Sequence, residues 1–197
     1  MADAANSGKP RLVVIIASTR PGRAGLPIGQ WFAERARAFG EFEIDVADLA
    51  EIALPMMDEP NHPRLQQYTH DHTKAWSARI EAAEAIALVM PEYNHGYTAP
   101  LKNAIDYLVA EWAFKPVGLV SYGGISGGLR AVQSLKPVLS GLRMIPLTES
   151  ITIQQFNRFM TDDDRFVPDD TLEQAAETML AELLRWNLAL RPLREDA

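Results

Sequence analysis

The chain has no cysteine among its 197 residues, which excludes disulfides, thiolate nucleophiles, iron–sulfur clusters and zinc sites with cysteine ligands. It also has few basic residues, because 19 Lys and Arg stand against 26 Asp and Glu, giving a net charge of −7. No basic cluster occurs, so we expect no nucleic-acid partner. The longest apolar stretch, residues 80–90, includes Glu81 and Glu84 and is shorter than the ~20 residues of a membrane span, so we expect no membrane partner.

The first residues are small and polar and lack the apolar core of a secretory signal peptide. Together with the absence of cysteine, this favours a cytoplasmic location. A length of 197 residues and a composition that is 47% hydrophobic and 23% charged are typical of one globular domain. We therefore predict a flexible N-terminus over residues 1–10, one domain over residues 11–191 and a C-terminal tail over residues 192–197.

Five apolar segments predict β-strands. Residues 12–17 and 85–90 are apolar throughout, as is typical of strands that are covered on both faces. Residues 42–46 alternate like an edge strand, and residues 116–122 and 143–147 are two further candidates.

Between these strands, apolar residues spaced three and four apart predict α-helices. The predicted helices cover residues 27–39, 71–83, 98–108, 129–139, with an irregularity at Pro137, and 170–186. Because strands and helices alternate, we predict an α/β fold in which a parallel sheet lies between two layers of helices. Ligands of such sheets bind at the carboxyl ends of the strands.

The loop after the first strand has the chemistry of an anion site. It contains Ser18, Arg20 and Arg23 around a Pro-Gly turn and leads into a helix, whose N-terminus offers free backbone N–H groups. The Gly-Lys-Ser/Thr of a nucleotide P-loop is absent, and no G-x-G-x-x-G occurs anywhere in the chain. We predict that the loop binds a phosphate; the alternative is an ordinary loop with surface arginines.

Two segments near the middle of the chain carry a family signature. The third strand is followed by the tetrapeptide P-E-Y-N at residues 91–94, and the next helix contains L-K-N-A-I-D at residues 101–106. Together they resemble the NADPH-dependent FMN reductases of the flavodoxin-like superfamily. The order of strands and helices also matches over almost the whole chain. The resemblance implies a flavodoxin-like three-layer sandwich with a five-stranded sheet of order 2-1-3-4-5, FMN as cofactor, and NADPH or NADH as hydride donor.

The resemblance also implies where FMN lies. Residues 91–96 would run along the isoalloxazine ring, and the glycine-rich loop after the fourth strand would meet its pyrimidine edge. Pro91 stiffens the strand exit, Gly96 permits close approach and Tyr93 offers a packing surface; the alternative is a structural turn at Asn94. The predicted cofactor-binding residues are Ser18, Arg20, Arg23, Pro91, Glu92, Tyr93, Asn94, Gly96, Ser121, Tyr122, Gly123, Gly124, Ser126 and Gly127.

The first loop departs from the family pattern S-x-R-x-x-S-x-N at two positions. Ser18 and Arg20 match, whereas Arg23 and Gly25 stand where the family has Ser and Asn. We predict that Arg23 replaces the lost hydroxyl by a charged contact to phosphate. The alternative is a weaker or differently seated phosphate.

Other chemistries find little support. Residues 124–128 read G-x-S-x-G and imitate a nucleophile elbow, but all four histidines precede Ser126, whereas that hydrolase fold needs its histidine after the serine. His70 and His72 are two apart in a helical stretch, so they do not share a face and we predict no metal site. Hydride transfer through a flavin needs no acid–base side chain, so we predict no catalytic residue.

We therefore predict an FMN-dependent NAD(P)H oxidoreductase. Its second acceptor would be a small molecule, namely a free flavin, a quinone, an azo compound or a metal oxyanion. The alternatives are a flavodoxin-like electron carrier and an FMN-binding regulatory protein without turnover. The resemblance further implies a homodimer or homotetramer, and we predict that Trp112 and Phe114 lie at a subunit contact.

Overall fold

The computed structural model describes residues 8–195. In this range the chain forms strands β1 (Arg11–Ile16), β2 (Glu43–Asp48), β3 (Ala85–Pro91), β4 (Pro116–Tyr122), β5 (Ile145–Pro146) and β6 (Ile151–Ile153). The α-helices are α1 (Gly25–Phe39), α2 (Leu49–Ile52), α3 (Asp71–Glu81), α4 (Ala99–Asp106), α5 (Leu129–Gly141) and α6 (Asp170–Glu195). The predicted flexible N-terminus falls mostly outside the described residues, as does the end of the predicted tail, residues 196–197.

All strand pairs are parallel, and the sheet has the order β2-β1-β3-β4-β5, with β6 also paired to β4. This confirms the predicted α/β fold and strand order. Helices α1 and α6 cover one face of the sheet, and α2 to α5 cover the other. The continuous apolar character of β1 reflects this burial, since Val13 and Ile15 enter one core and Leu12 and Val14 the other.

The fifth position of the sheet differs from the prediction of one strand over residues 143–147. Pro146 pairs with Val117 and Ile151 pairs with Val120, so five residues on one side span the distance of three on the other (151 − 146 = 5, 120 − 117 = 3). The two extra residues form a bulge, and β5 and β6 together take the place of the predicted strand. The N–H groups of Ile145 and Leu147 donate to the carbonyls of Lys115 and Val117, so the nitrogen of Pro146 faces the open edge of the sheet, where no N–H is needed.

Trp112 is buried at the end of the sheet opposite the carboxyl ends of the strands. It is 1% exposed, packs edge-to-face on Trp76 with ring centroids 6.1 Å apart, and donates its indole N–H to the carbonyl of Ile105 at 3.0 Å. The prediction that Trp112 lies at a subunit contact is therefore wrong. A large aromatic residue just after a helix can pack in the core or lie at a subunit contact, and the sequence alone does not distinguish these two positions.

Helix α6 continues beyond the predicted residue 186, across the boundary set for the tail, to Glu195. Near its end, Arg194 donates to the carbonyl of Phe114 at 2.9 Å and to Asn187 Oδ1 at 2.5 Å. These bonds fasten the last turn to the segment before β4. In the described part of the chain, no helix combines the length and apolar character needed to cross a bilayer.

Lys115, just before β4, is a buried cation that caps α3. It is 4% exposed, and its ammonium donates to the carbonyls of Ile80 and Glu81 at the end of that helix. Burial lowers the pKa of Lys115 from 10.5 to about 8. Because the unfolded chain holds this proton up to about pH 10.4, it binds more protons than the folded protein between about pH 8 and 10.4. The contribution of Lys115 to the free energy of unfolding therefore rises with pH in this window.

We expect Lys115→Met to remove this rise. From pH 7 to pH 10 the free energy of unfolding of the wild type should increase relative to that of the variant by roughly 3 kcal/mol, at 1.36 kcal/mol for each pKa unit. Urea unfolding of both proteins across this pH range measures the difference. Parallel pH profiles for the two proteins would contradict the expectation.

Candidate functional site

The loops after β1, β3 and β4 meet at one edge of the sheet and enclose a cavity of about 140 Å³. The cavity is lined by Ser18, Arg20, Arg23, Ala24, Pro91, Glu92, Tyr93, Tyr122, Gly123, Gly124 and Phe156. Nine of the predicted cofactor-binding residues are therefore brought together. The other five do not line the cavity: Asn94, Gly96, Ser126 and Gly127 lie in the same loops, and Ser121 lies near the end of β4.

The loop after β1 leaves its backbone donors and one arginine free. Within residues 8–195, the backbone N–H groups of Thr19, Arg20, Gly22, Arg23 and Ala24 have no hydrogen-bond partner, and the exposed side chain of Arg20 makes neither a hydrogen bond nor an ion pair. This set of donors at the N-terminus of α1 suits a phosphate group. Ser18 is 1% exposed, and its hydroxyl oxygen lies 3.2 Å from that of Tyr93.

Arg23 points away from this open part of the loop, toward the end of β2. Its guanidinium donates to both carboxylate oxygens of Asp48 at 2.5 Å and to the carbonyl of Ser18 at 2.6 Å. The hydrogen bond with Asp48 raises the pKa of Arg23 above its usual value. These guanidinium donors already have partners within the protein. The geometry therefore favours the alternative, a weaker or differently seated phosphate, over a phosphate contact by Arg23. Its observed contacts fix the shape of the loop.

The packing around residue 25 explains why a glycine stands there, at the second departure from the family pattern. A Cβ atom at this position would lie 2.5 Å from the hydroxyl oxygen of Tyr122 and 3.1 Å from the Cβ of Ser18. Tyr122 thus occupies the space that a larger side chain would need. Burial raises the pKa of Tyr122, which keeps its phenol neutral.

The P-E-Y-N segment ends in a tight hairpin. Tyr93 and Gly96 exchange two backbone hydrogen bonds of 2.9 Å, and the residues between them, Asn94 and His95, have φ values of 50° and 69°. Positive φ at both central positions is the geometry of a type I′ turn, in which Asn is favoured. The structure therefore contains the turn at Asn94 that was the alternative to a place beside the cofactor, and Asn94 does not line the cavity. A contact of Asn94 with the cofactor stays a prediction.

Glu92 directs its carboxylate into the neighbouring loop. The side chain is 5% exposed and accepts hydrogen bonds from the Ser126 hydroxyl at 2.8 Å, the Arg130 backbone N–H at 3.1 Å and Arg130 Nε at 2.5 Å. Burial alone would raise the pKa of Glu92, but the hydrogen bonds from Arg130 and Ser126 hold it below the usual value. The Ser126 hydroxyl donates to a carboxylate rather than to a histidine, which gives the nucleophile-elbow interpretation no support.

The glycine-rich loop after β4 presents unpaired backbone donors. In the described range, the N–H groups of Gly124, Ile125 and Ser126 have no partner, and a Cβ at Gly124 would meet nothing within 4 Å. Ser121 was predicted to bind the cofactor, but it is fully buried and its hydroxyl donates to the carbonyl of Gly127 at 2.9 Å. Ser121 therefore stabilises the conformation of the loop and does not line the cavity.

The sequence prediction missed two polar residues that fasten the loops of the site and a third that stabilises the framework beside it. Asp48 accepts two hydrogen bonds from the guanidinium of Arg23. Thr98 donates to the carbonyl of Ala17 at 2.9 Å and caps the N-terminus of α4. Asn103, in the L-K-N-A-I-D segment, donates to the carbonyl of Pro55 at 2.6 Å and accepts from the Met57 N–H at 2.9 Å. Their partners are distant in sequence, so no local pattern reveals them. Among residues 8–195, no group of three or more His, Asp or Glu side chains is arranged to hold a metal ion.

The donors of the site fit FMN. Unpaired N–H groups and Arg20 suit the phosphate, while the N–H groups of residues 124–126 suit carbonyl oxygens of a ring. The sequence model of the NADPH-dependent FMN reductases matches residues 10–158. The chain belongs to this family.

Relatives of known name agree with this membership. The chain is 42% identical to an NAD(P)H-dependent FMN reductase of Schizosaccharomyces pombe over 137 residues, which are 68% of each chain. It is 36% identical to an NAD(P)H-dependent FMN reductase of Nectria sp over 135 residues, 66% of this chain and 67% of the other. An NADPH azoreductase of a Bacillus species is 26% identical over 147 residues, 74% of this chain and 75% of the other.

Solved structures resemble the fold. The flavoenzyme FerB of Paracoccus denitrificans, an NAD(P)H:(acceptor) oxidoreductase, superposes with a TM-score of 0.71 at 19% identity, over 91% of this chain and 98% of the other. A flavodoxin of Streptococcus pneumonia superposes with a TM-score of 0.54 at 12% identity, over 87% and 97%. At these identities the likeness concerns the fold alone, which is flavodoxin-like.

Proposed function

We propose that this reductase passes a hydride from NAD(P)H through FMN, held at the cavity, to a small-molecule acceptor. Family membership makes the protein an enzyme of the NAD(P)H-dependent FMN reductase type, with FMN as cofactor and NAD(P)H as donor. The observation that carries the proposed site is the set of five unpaired backbone N–H groups, those of residues 19, 20, 22, 23 and 24, beside the free side chain of Arg20. Relatives named azoreductase and quinone oxidoreductase support an azo compound or a quinone as acceptor. The description of the family and of its relatives as FMN reductases supports a free flavin, and a metal oxyanion remains a prediction.

The chain's own residues bind and orient the cofactor. FMN, when bound, supplies the atom that accepts the hydride and stores two electrons. Arg20 and the unpaired N–H groups of this loop hold its phosphate, and Ser18 joins the loop to Tyr93. A cavity of about 140 Å³ is small for a whole cofactor, which supports entry by the phosphate end and a position of the ring outside it, against the two other loops. The N–H groups of Gly124 to Ser126 would then orient the ring.

No side chain of the cavity is arranged as a general acid or base. The carboxylate of Glu92 is engaged by Ser126 and Arg130, and Tyr122 stays neutral because it is buried. Residues from the hairpin and the glycine loop therefore position and shield the ring, and no proton transfer is assigned to them. A homodimer or homotetramer and a cytoplasmic location remain predictions.

Arg20→Ala tests the phosphate site. We expect the variant to bind FMN at least tenfold more weakly than the wild type, since loss of a charge-assisted contact to phosphate costs about 1.4 kcal/mol or more. Quenching of FMN fluorescence during titration of flavin-free protein measures the affinity. Arg37→Ala, an exposed arginine in the last turn of α1, is the matched control and should bind like the wild type.

Two results would contradict parts of the proposal. If the wild type binds no FMN, the cavity is not a flavin site. If Arg20→Ala binds as tightly as the wild type, the phosphate depends on the backbone donors rather than on Arg20. Anaerobic addition of NADPH to the FMN-loaded protein separates the alternatives, because a regulatory binder or a flavodoxin-like carrier would leave the flavin oxidised over the time in which a reductase bleaches it.

A further inference from the structure

Glu92 connects two loops that face the proposed cofactor site. Its backbone N–H donates to the carbonyl of Tyr122 at 3.1 Å, which ties the start of the hairpin to the end of β4. Its carboxylate then reaches the Ser126 hydroxyl and both the backbone and the guanidinium of Arg130. The Glu92 side chain is 5% exposed, whereas that of Arg130 is 47% exposed, so the carboxylate is the buried centre of this network.

The network fixes the glycine-rich loop in one conformation. Besides its bond to Glu92, the oxygen of Ser126 accepts from the Gly128 N–H at 3.4 Å and from the Arg130 guanidinium at 3.1 Å. Gly127 and Gly128 both have positive φ, 60° and 93°, so the loop depends on contacts that hold this uncommon backbone. Backbone hydrogen bonds hold the loop on its other side, from Gln155 to the carbonyl of Gly124 and from Phe156 to that of Gly123, so the carboxylate of Glu92 is the side-chain link between the loop and the hairpin.

The same carboxylate balances positive charge. It lies at the N-terminus of the thirteen-residue helix α5, where backbone N–H groups carry partial positive charge, and it pairs with Arg130 in the first turn. Hydride transfer moves two electrons and a proton from NADPH, which leaves as NADP⁺, and the bound flavin gains one negative charge. Arg130 and the helix end favour that charge, whereas Glu92 opposes it.

We propose that Glu92 is a positioning residue that sets the spacing of the two loops and, by compensating Arg130, keeps the reduction potential of bound FMN low. This inference rests on the proposed function, since it takes the cavity as the FMN site. Glu92 acts through Ser126 and Arg130, and no contact of its carboxylate with the flavin is required. The consequence is that loss of either charge of the pair shifts the preference between reduced and oxidised FMN, in opposite directions.

Paired variants test this. Glu92→Gln removes the negative charge, so the ratio of affinities for reduced and oxidised FMN should rise at least tenfold, which moves the midpoint potential up by about 30 mV for a two-electron couple. Arg130→Met removes the positive charge and should move the midpoint down by a similar amount. Glu92→Asp keeps the charge and should restore a potential close to that of the wild type. Spectroelectrochemical titration and FMN affinity give these values without any turnover assay.

Two controls separate charge from loop structure. Ser126→Ala loses a hydrogen bond but no charge, so it should weaken oxidised FMN binding and leave the potential unchanged. Asp106→Asn, in an exposed ion pair with Lys102 on α4, should change neither quantity. Thermal unfolding of each variant shows whether it folds, and Arg130→Met serves as the test if Glu92→Gln does not fold.

The outcomes are distinguishable. If the wild type binds FMN and is reduced by NADPH, but Glu92→Gln and Arg130→Met shift the potential in the same direction or not at all, the inference is wrong and the proposed function stands. If the wild type binds no FMN, both are wrong. Opposite shifts, with restoration by Glu92→Asp, are the result that we expect.

Discussion

Asp48→Asn is expected to lower the free energy of unfolding by about 3–5 kcal/mol, the usual cost of removing one partner from a buried ion pair. The side chains of Arg23 and Asp48 are 13% and 5% exposed, so the arginine would keep its charge in a largely water-free place without a carboxylate. Two hydrogen bonds of 2.5 Å would be lost or weakened at once. Urea unfolding at neutral pH measures the effect.

Glu43→Gln is the matched control for this prediction. Glu43 lies at the start of the same strand, β2, and pairs with Arg11 at 2.7 Å, but the two side chains are 48% and 38% exposed. A pair in water contributes less than about 1 kcal/mol, so this variant should unfold almost like the wild type. Equal losses in the two variants would show that burial does not decide the strength of the Arg23–Asp48 pair.

Gly128→Ala should be the second strongly destabilising change, at about 3 kcal/mol or more. Gly128 has a φ of 93°, which costs a residue with a Cβ about 1–3 kcal/mol. The added atom would lie 2.7 Å from the Cβ of Ser121 and 3.0 Å from the backbone nitrogen of Tyr122, and such overlap adds a similar amount. Since β4 cannot move away, the loop must shift, and FMN binding should weaken together with stability.

Gly124→Ala provides the comparison within the same loop. A Cβ at Gly124 meets nothing within 4 Å, and its φ is not positive, so stability should change by less than about 0.5 kcal/mol. Thermal unfolding and FMN titration of the two variants side by side check both expectations. A stable Gly128→Ala protein with normal FMN affinity would mean that the loop adopts another backbone conformation without penalty.

The sequence predicted the sheet well where a continuous apolar segment indicates a strand that is buried on both faces. Residues 12–17 and 85–90 read as strands covered on both faces, and β1 and β3 are buried in this way. The fifth strand was predicted as one piece because the pattern of residues 143–147 gives no sign of the two-residue bulge. Its second part, β6, is recognised only through its register with β4.

For the site, the sequence located the loops but not the partners of their side chains. Ser18, Arg20 and Tyr93 meet at one cavity, as expected from strand ends at the same edge of a sheet. Arg23 was predicted to contact phosphate because nothing in its neighbourhood reveals an acceptor 25 residues away in Asp48. Glu92 and Arg130, 38 residues apart, were missed as a pair for the same reason. Long-range pairing depends on three-dimensional geometry that local patterns do not encode.

Asn103 has a consequence for how this family is recognised. It belongs to the segment that makes the family most identifiable, yet both ends of its amide bond to the backbone of residues 55 and 57, outside the cavity. Leu101, Ala104 and Ile105 of the same segment are buried in the core, so this half of the signature supports the framework. A match to the L-K-N-A-I-D segment alone would therefore indicate the scaffold, whereas the first loop and the hairpin carry the residues that line the proposed cofactor site.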